Sequence, residues 1–164
     1  VEVGEAVGLA HAGYHALNSL RLEKAYRHWS HDITDEDSPL EAGLSFVVKF
    51  DKPGGFIGRA ALLAQQEQGV SRHLVQLKLN HPEPLIYHNE PIWRDDEIVG
   101  HITSAAYGHT LGGAVGLGYV TAEPGAPAES VLGDAYEVEV ACERFSADVS
   151  LRPLYDPDNA KIRC

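Results

Sequence analysis

The chain has 164 residues and a mass of 17.8 kDa; 44% are apolar and 23% charged, an ordinary balance for a folded domain with its own core. Lys and Arg number 13 against 24 Asp and Glu, a net charge of −11, so the basic surface that nucleic acid or an anionic membrane requires is missing. Sixteen glycines and nine prolines argue for many turns and against a helical bundle, and no apolar run approaches the roughly 20 residues of a membrane span.

Residues 2–18 predict a helix, with Val7, Ala10, Tyr14 and Leu17 at three- and four-residue spacing. The alternation of Leu20–Tyr26 predicts a half-buried strand that puts Arg21 and Glu23 on one face as a structural ion pair. A polar acidic loop follows over 30–38. Pro39 opens a short helix that Gly43 ends, and Leu44–Phe50 is apolar enough for a buried strand or a turn of core. The Asp51–Gly55 cluster is a turn, and Ile57–Gln68 predicts a helix stopped by Gly69.

From Arg72 the period changes. Apolar stretches at 73–79, 85–87, 92–93, 98–102, 115–120, 136–141 and 149–151 are separated by turn signals such as Asn89-Glu90-Pro91, Asp95-Asp96 and Gly112-Gly113. Short strands so spaced predict a small antiparallel β-barrel or jelly roll. The expected class is therefore α+β, with residues 1–70 as a helix–strand–helix unit and 71–164 as the barrel. A lone strand has unpaired edges. Its partners are expected upstream; strand exchange giving a homo-oligomer is the alternative. The absence of Met and the start at Val1 also lead us to expect a piece of a longer protein. No basic region precedes an apolar stretch, so no signal peptide is expected. Cys142 and Cys164 make no disulfide framework, which points to a reducing setting, the cytoplasm or, in a eukaryote, the mitochondrial matrix.

Chemistry is sparse. His28, His31 and Asp32 spell H-x-x-H-D beside Asp35, Glu36 and Asp37, but no cysteine lies near and the calcium-loop template is not met. A solvated acidic loop and no metal are expected. No G-x-S-x-G elbow exists, and the glycine-rich 54–58 and 112–118 do not spell G-x-G-x-x-G after a strand. No residue is assigned a catalytic role.

Ser19–Trp29 (S-L-R-L-E-K-A-Y-R-H-W), His31–Asp37 (H-D-I-T-D-E-D), Pro39–Leu44 (P-L-E-A-G-L) and Phe56–Leu62 (F-I-G-R-A-A-L) resemble the folate-binding superfamily of the glycine-cleavage T-protein, or aminomethyltransferase. Gly100–Ser104, Gly116–Val120 and Leu151–Pro157 are similar to its C-terminal barrel signatures. The branch looks like the folate side of FAD-dependent dimethylglycine and sarcosine dehydrogenases. The resemblance implies that residues 1–70 are the end of a folate-binding domain. It implies FAD and folate domains of the same parent upstream, a small N-methyl amine substrate, FAD bound outside this chain, and part of a tetrahydrofolate site within it. The one-carbon unit released on oxidation would pass to the folate, and this piece alone would be inactive. Tyr26 matches the tyrosine three residues after R-L-E in the family's folate region; its ring can stack on a pterin or aminobenzoyl ring. Arg21 and Glu23 match the core of that motif. Trp29 and Tyr107 are further pocket candidates. Leu17 stands where T-proteins carry the Arg linked to folate, which favours the dehydrogenase branch. The rivals are a stand-alone aminomethyltransferase and a non-catalytic folate-binding or interaction module.

Overall fold

The computed structural model describes residues 1–163. Three helices, α1 (Glu2–Glu5), α2 (Tyr14–Glu23) and α3 (Arg59–Gln68), precede six strands. These are β1 (Arg72–Leu79), β2 (Pro91–Arg94), β3 (Glu97–Gly108), β4 (Gly113–Thr121), β5 (Tyr136–Val140) and β6 (Glu143–Ser150). They close an antiparallel barrel in the order β1-β4-β3-β2-β5-β6, with β6 returning to β1. The barrel expected from the spacing of the apolar runs is therefore present.

Two hairpins close through two-residue turns with both residues at positive φ, Asp95-Asp96 between β2 and β3 and Ala141-Cys142 between β5 and β6. That backbone matches the right-handed twist of the strands it joins. Cys142 is exposed there; Cys164 lies outside the described residues. Gly100 lets β3 approach β4, since a Cβ there would sit 1.8 Å from the Tyr119 carbonyl oxygen.

Two faces of the barrel wall are buried. Val75, Leu77, Leu79, Ile92, Ile102, Val120 and Val138 belong to the main core. The opposite parity of β1 and β4 supplies Leu74, Leu117 and Tyr119, which meet Leu22 and Ala25 from α2 and the turn after it. Helix α2 thus lies across the outside of the barrel, and β1 is buried almost end to end because both of its faces are covered. Buried Gln76 joins three parts of the chain. Its Nε2 donates to the Leu22 carbonyl (2.6 Å), and its Oε1 accepts the Leu154 N–H (2.7 Å).

The N-terminal third departs from the expectations. The predicted helix over 2–18 is interrupted: Gly8 takes a positive φ and extended Gly13 precedes the start of α2. The predicted strand Leu20–Tyr26 is the end of α2 and a turn. Leu22 is wholly buried while Leu20 is 59% exposed; in α2, Ser19, Leu22 and Glu23 share the buried face at helical spacing. Leu44–Phe50 is neither strand nor core: Ser45–Val47 is a short 3-10 turn with Phe46 and Val47 exposed. Residues 39–43 are a turn, and 85–87 are a loop whose Ile86 enters the core.

Candidate functional site

The site begins at the C-terminus of α2. The Tyr26 N–H donates to the Arg21 carbonyl (2.8 Å) and the Ala25 N–H to that of Leu22 (2.9 Å), a Schellman closure with Ala25 at φ 53°. This turn throws Tyr26 outward, 51% exposed, while Leu22 stays inside. Arg27 follows with its Nη1 on the Ala25 carbonyl (2.8 Å) and its Nε on that of Ala42 (3.1 Å); burial pulls its guanidinium below the usual range.

Asp32 organises what lies beneath. Its side chain is wholly buried. One oxygen, Oδ2, accepts Arg21 Nη1 (2.6 Å) and the His28 N–H (2.8 Å). The other, Oδ1, accepts the hydroxyls of Thr103 (2.6 Å) and Ser104 (2.5 Å). Adjacent strand residues normally point to opposite faces. Here the β3–β4 register shifts between Ile102 and Ser104, and both hydroxyls reach one oxygen. Asp32 therefore ties α2, the loop after it and the β3 bulge together. Arg21 also donates from Nε to Asn18 Oδ1 (2.8 Å), which leaves Nη2 without a hydrogen-bond partner among the described residues.

Around this hub runs a groove with two lobes. One, of about 180 Å³, is mainly apolar and is lined by Tyr14, Leu17, Tyr26, Arg27 and His28. The other, also about 180 Å³, is lined by His28, His31, Tyr87, His88 and Thr103. Tyr14, Asn18, Arg21 and His28 border both. Each lobe alone is smaller than the roughly 300–1,000 Å³ of a small-molecule pocket, and only the two together reach the lower end of that range.

The candidate residues separate. Tyr26 and Arg21 meet at the aromatic lobe. Glu23 does not share a face with Arg21 as a strand would require. Arg21 pairs with Asp32, and Glu23 is buried with Oε1 accepting the N–H groups of Thr110 (2.6 Å) and Leu111 (3.1 Å). The expected Arg21–Glu23 ion pair is thus replaced by two separate partnerships. Trp29 is 62% exposed beside an isolated bridge to Ile33 and borders neither lobe. Tyr107 packs edge-on against His109 at 5.2 Å, also away from both lobes. Sequence reasoning missed the second lobe and the anchoring role of Asp32. Its only local signal is the H-x-x-H-D spacing, which the sequence assigns to a solvated acidic loop; Asp32 is instead buried. Among the described residues no group of three His, Cys, Asp or Glu has metal-ligand geometry.

Next to the groove, Arg72 bridges Asp37 (2.8 Å) and Glu41 (2.9 Å) and lies 4.5 Å from the centroid of the Tyr119 ring. Burial, with the charge of Asp37 added, drives the Tyr119 hydroxyl far above the ordinary phenol range, so it stays protonated.

The Glycine cleavage T-protein C-terminal barrel domain matches residues 72–156, the whole six-stranded barrel and the start of the tail that returns to α2. The chain belongs to the glycine cleavage T-protein family. The GCVT N-terminal domain matches residues 1–52, which carry α2 and the Asp32 loop. The chain is 44% identical over 99% of its length to 4-methylaminobutanoate oxidase (formaldehyde-forming) of Paenarthrobacter nicotinovorans, covering 19% of that protein. It is 38% identical over 98% of its length to mitochondrial sarcosine dehydrogenase of Mus musculus, covering 18% of it. It thus spans about a fifth of these T-protein relatives. The crystal structure of glycine cleavage system aminomethyltransferase T from Bartonella henselae superposes with a TM-score of 0.74 at 28% identity, over 87% of this chain and 38% of that one.

Proposed function

We propose that this chain is the C-terminal, folate-side part of an FAD-dependent N-methyl amine dehydrogenase or oxidase, and that it forms one wall of a tetrahydrofolate site. The observation that carries the reading is the half-open aromatic lobe at the end of α2. Tyr26, Tyr14 and Leu17 offer flat and apolar surface, and Arg21 offers an unpartnered Nη2 beside it. A conjugated ring stacked on Tyr26 with its polar edge toward Arg21 satisfies both. Tetrahydrofolate, when bound, supplies the nitrogen atoms that accept a one-carbon unit. The residues here position and shield it; they move no proton. Leu20, 59% exposed on α2 and outside the aromatic lobe, belongs to the surface on which the remainder of the folate-binding domain would pack. We place the division between that domain and the barrel near Ser71, one residue before β1. Gly54–Gly58 enters α3 from a turn and not from a strand, unlike a dinucleotide-binding fingerprint, and we assign FAD to the rest of the parent protein. The setting we propose is the cytoplasm, or the mitochondrial matrix in a eukaryote.

The superposition on an aminomethyltransferase favours a second reading, a folate-dependent transferase without FAD. Leu17 in place of the motif's first Arg speaks for the oxidoreductase. Anaerobic calorimetric titration of the folded chain with tetrahydrofolate tests the shared part of both. Saturable binding that Tyr26→Ala weakens is the expected result; no binding, or an unchanged affinity in the variant, overturns the wall assignment.

A further inference from the structure

We propose that the imidazole-lined lobe is an anion subsite, taking the carboxylates of a ligand whose flat ring lies in the adjoining aromatic lobe. This rests on the reading above that the aromatic lobe accepts a ring. In a chain of net charge −11, this lobe has no Asp or Glu in its lining, and what sets it apart is that it gathers His28, His31 and His88 with Arg21. His28 and His31 stack with ring centroids 4.6 Å apart and planes 15° from parallel, and the turn that pairs them is held by the His31 and Asp32 N–H groups on the His28 carbonyl.

The two nearby carboxylates do not compete for an incoming anion. Both oxygens of Asp32 are already accepting, and they lie behind the lobe. Glu90 turns away, with Oε1 accepting the Tyr87 N–H (2.9 Å) and Oε2 buried without a partner. The three imidazoles have no side-chain hydrogen bond among the described residues, and Arg21 Nη2 is likewise open. Imidazole and guanidinium N–H groups are the donors that pair best with carboxylate oxygens in a partly desolvated site. Because Tyr14, Asn18, Arg21 and His28 border both lobes, one ligand can span them.

Two probes that share a ring decide the matter: p-aminobenzoyl-glutamate, with two carboxylates, and neutral p-aminobenzamide, titrated calorimetrically into the chain. The dicarboxylate is expected to bind tighter by on the order of tenfold or more, the scale of one added charged hydrogen bond, and this preference is expected to shrink as salt is raised. His31→Gln and His88→Gln together, which line only the imidazole lobe, are expected to abolish most of the preference while p-aminobenzamide binding stays. The single variant His88→Gln, at an exposed loop position, is expected to reduce it without touching the fold. Equal affinities in the unsubstituted chain, or a preference that survives intact in the double variant, would overturn the subsite. If neither ring probe binds, the ring-site reading fails, and glutarate alone decides the lobe. Shifts of the His28, His31 and His88 imidazole resonances on adding glutarate sustain it; unmoved resonances refute it.

Discussion

Removing the Asp32 carboxylate tests whether the hub, and not the barrel alone, holds the groove in shape. In Asp32→Ala, Arg21 keeps a guanidinium with 12% side-chain exposure but loses its 2.6 Å partner, and the hydroxyls of Thr103 and Ser104 lose their acceptor. Breaking a buried ion pair from one side costs about 3–5 kcal/mol, because the surviving charge stays desolvated. For a chain of this size each kcal/mol lowers the melting temperature by about 2–4 °C, so a fall of about 6–20 °C is expected. The assay is thermal and urea unfolding followed by circular dichroism, with Arg21→Met, Asp32→Ala as the second corner of a mutant cycle. The double variant should lose less than the two single losses summed, since the uncompensated charge has gone. A loss below about 1 kcal/mol in Asp32→Ala would refute the reasoning, because a surface pair behaves that way.

Further outcomes are expected elsewhere. Gly100→Ala forces a Cβ to within 1.8 Å of the Tyr119 carbonyl, so the β3–β4 ladder must move; a loss of about 1–3 kcal/mol in urea unfolding is expected. Lys24→Met removes the buried ammonium that donates to the Asp156 carbonyl (2.7 Å) and Asn159 Oδ1 (2.8 Å); the Tyr155 amide, which donates to the Glu23 carbonyl, should then exchange faster with solvent. Acid sensitivity follows from two carboxylates. Burial opposes the charge on Glu41, yet Arg72 and the Ser38 N–H outweigh it and hold its carboxyl below the ordinary 4.5. Burial likewise opposes Asp156, and the Lys161 N–H and Lys24 outweigh it, leaving its carboxyl below 3.8. Folded values below unfolded ones mean that this stability is complete above the unfolded values and is lost as pH falls through the folded ones. Glu41→Gln should therefore flatten the acid limb of a stability–pH profile; an unchanged limb would contradict the assignment. Tyr26→Ala, at a half-exposed position, should leave stability within about 0.5 kcal/mol while weakening folate binding, which circular dichroism and calorimetry separate.

Local patterns in the chain already determined the barrel. Alternation along Leu74–Leu79, turn pairs such as Asp95-Asp96, and the change of period at Arg72 are written within a few residues, and strands and hairpins form on that scale. The groove was only half legible. Tyr26 stood out from its motif, but the turn that projects it uses Ala25 at positive φ, where a glycine would have signalled it. The Leu20–Tyr26 segment alternates in sequence yet is the end of α2 and the turn that closes it, because the barrel wall offers a face to Leu22 and none to Leu20. Asp32 meets partners 71 and 72 residues away, at a bulge that no local pattern announces. His88 joins His28 and His31 only because the β1–β2 connection returns past α2. Local propensity chose the elements; which face of each was buried, and which polar groups met across them, was decided by the closure of the barrel and the docking of α2 upon it.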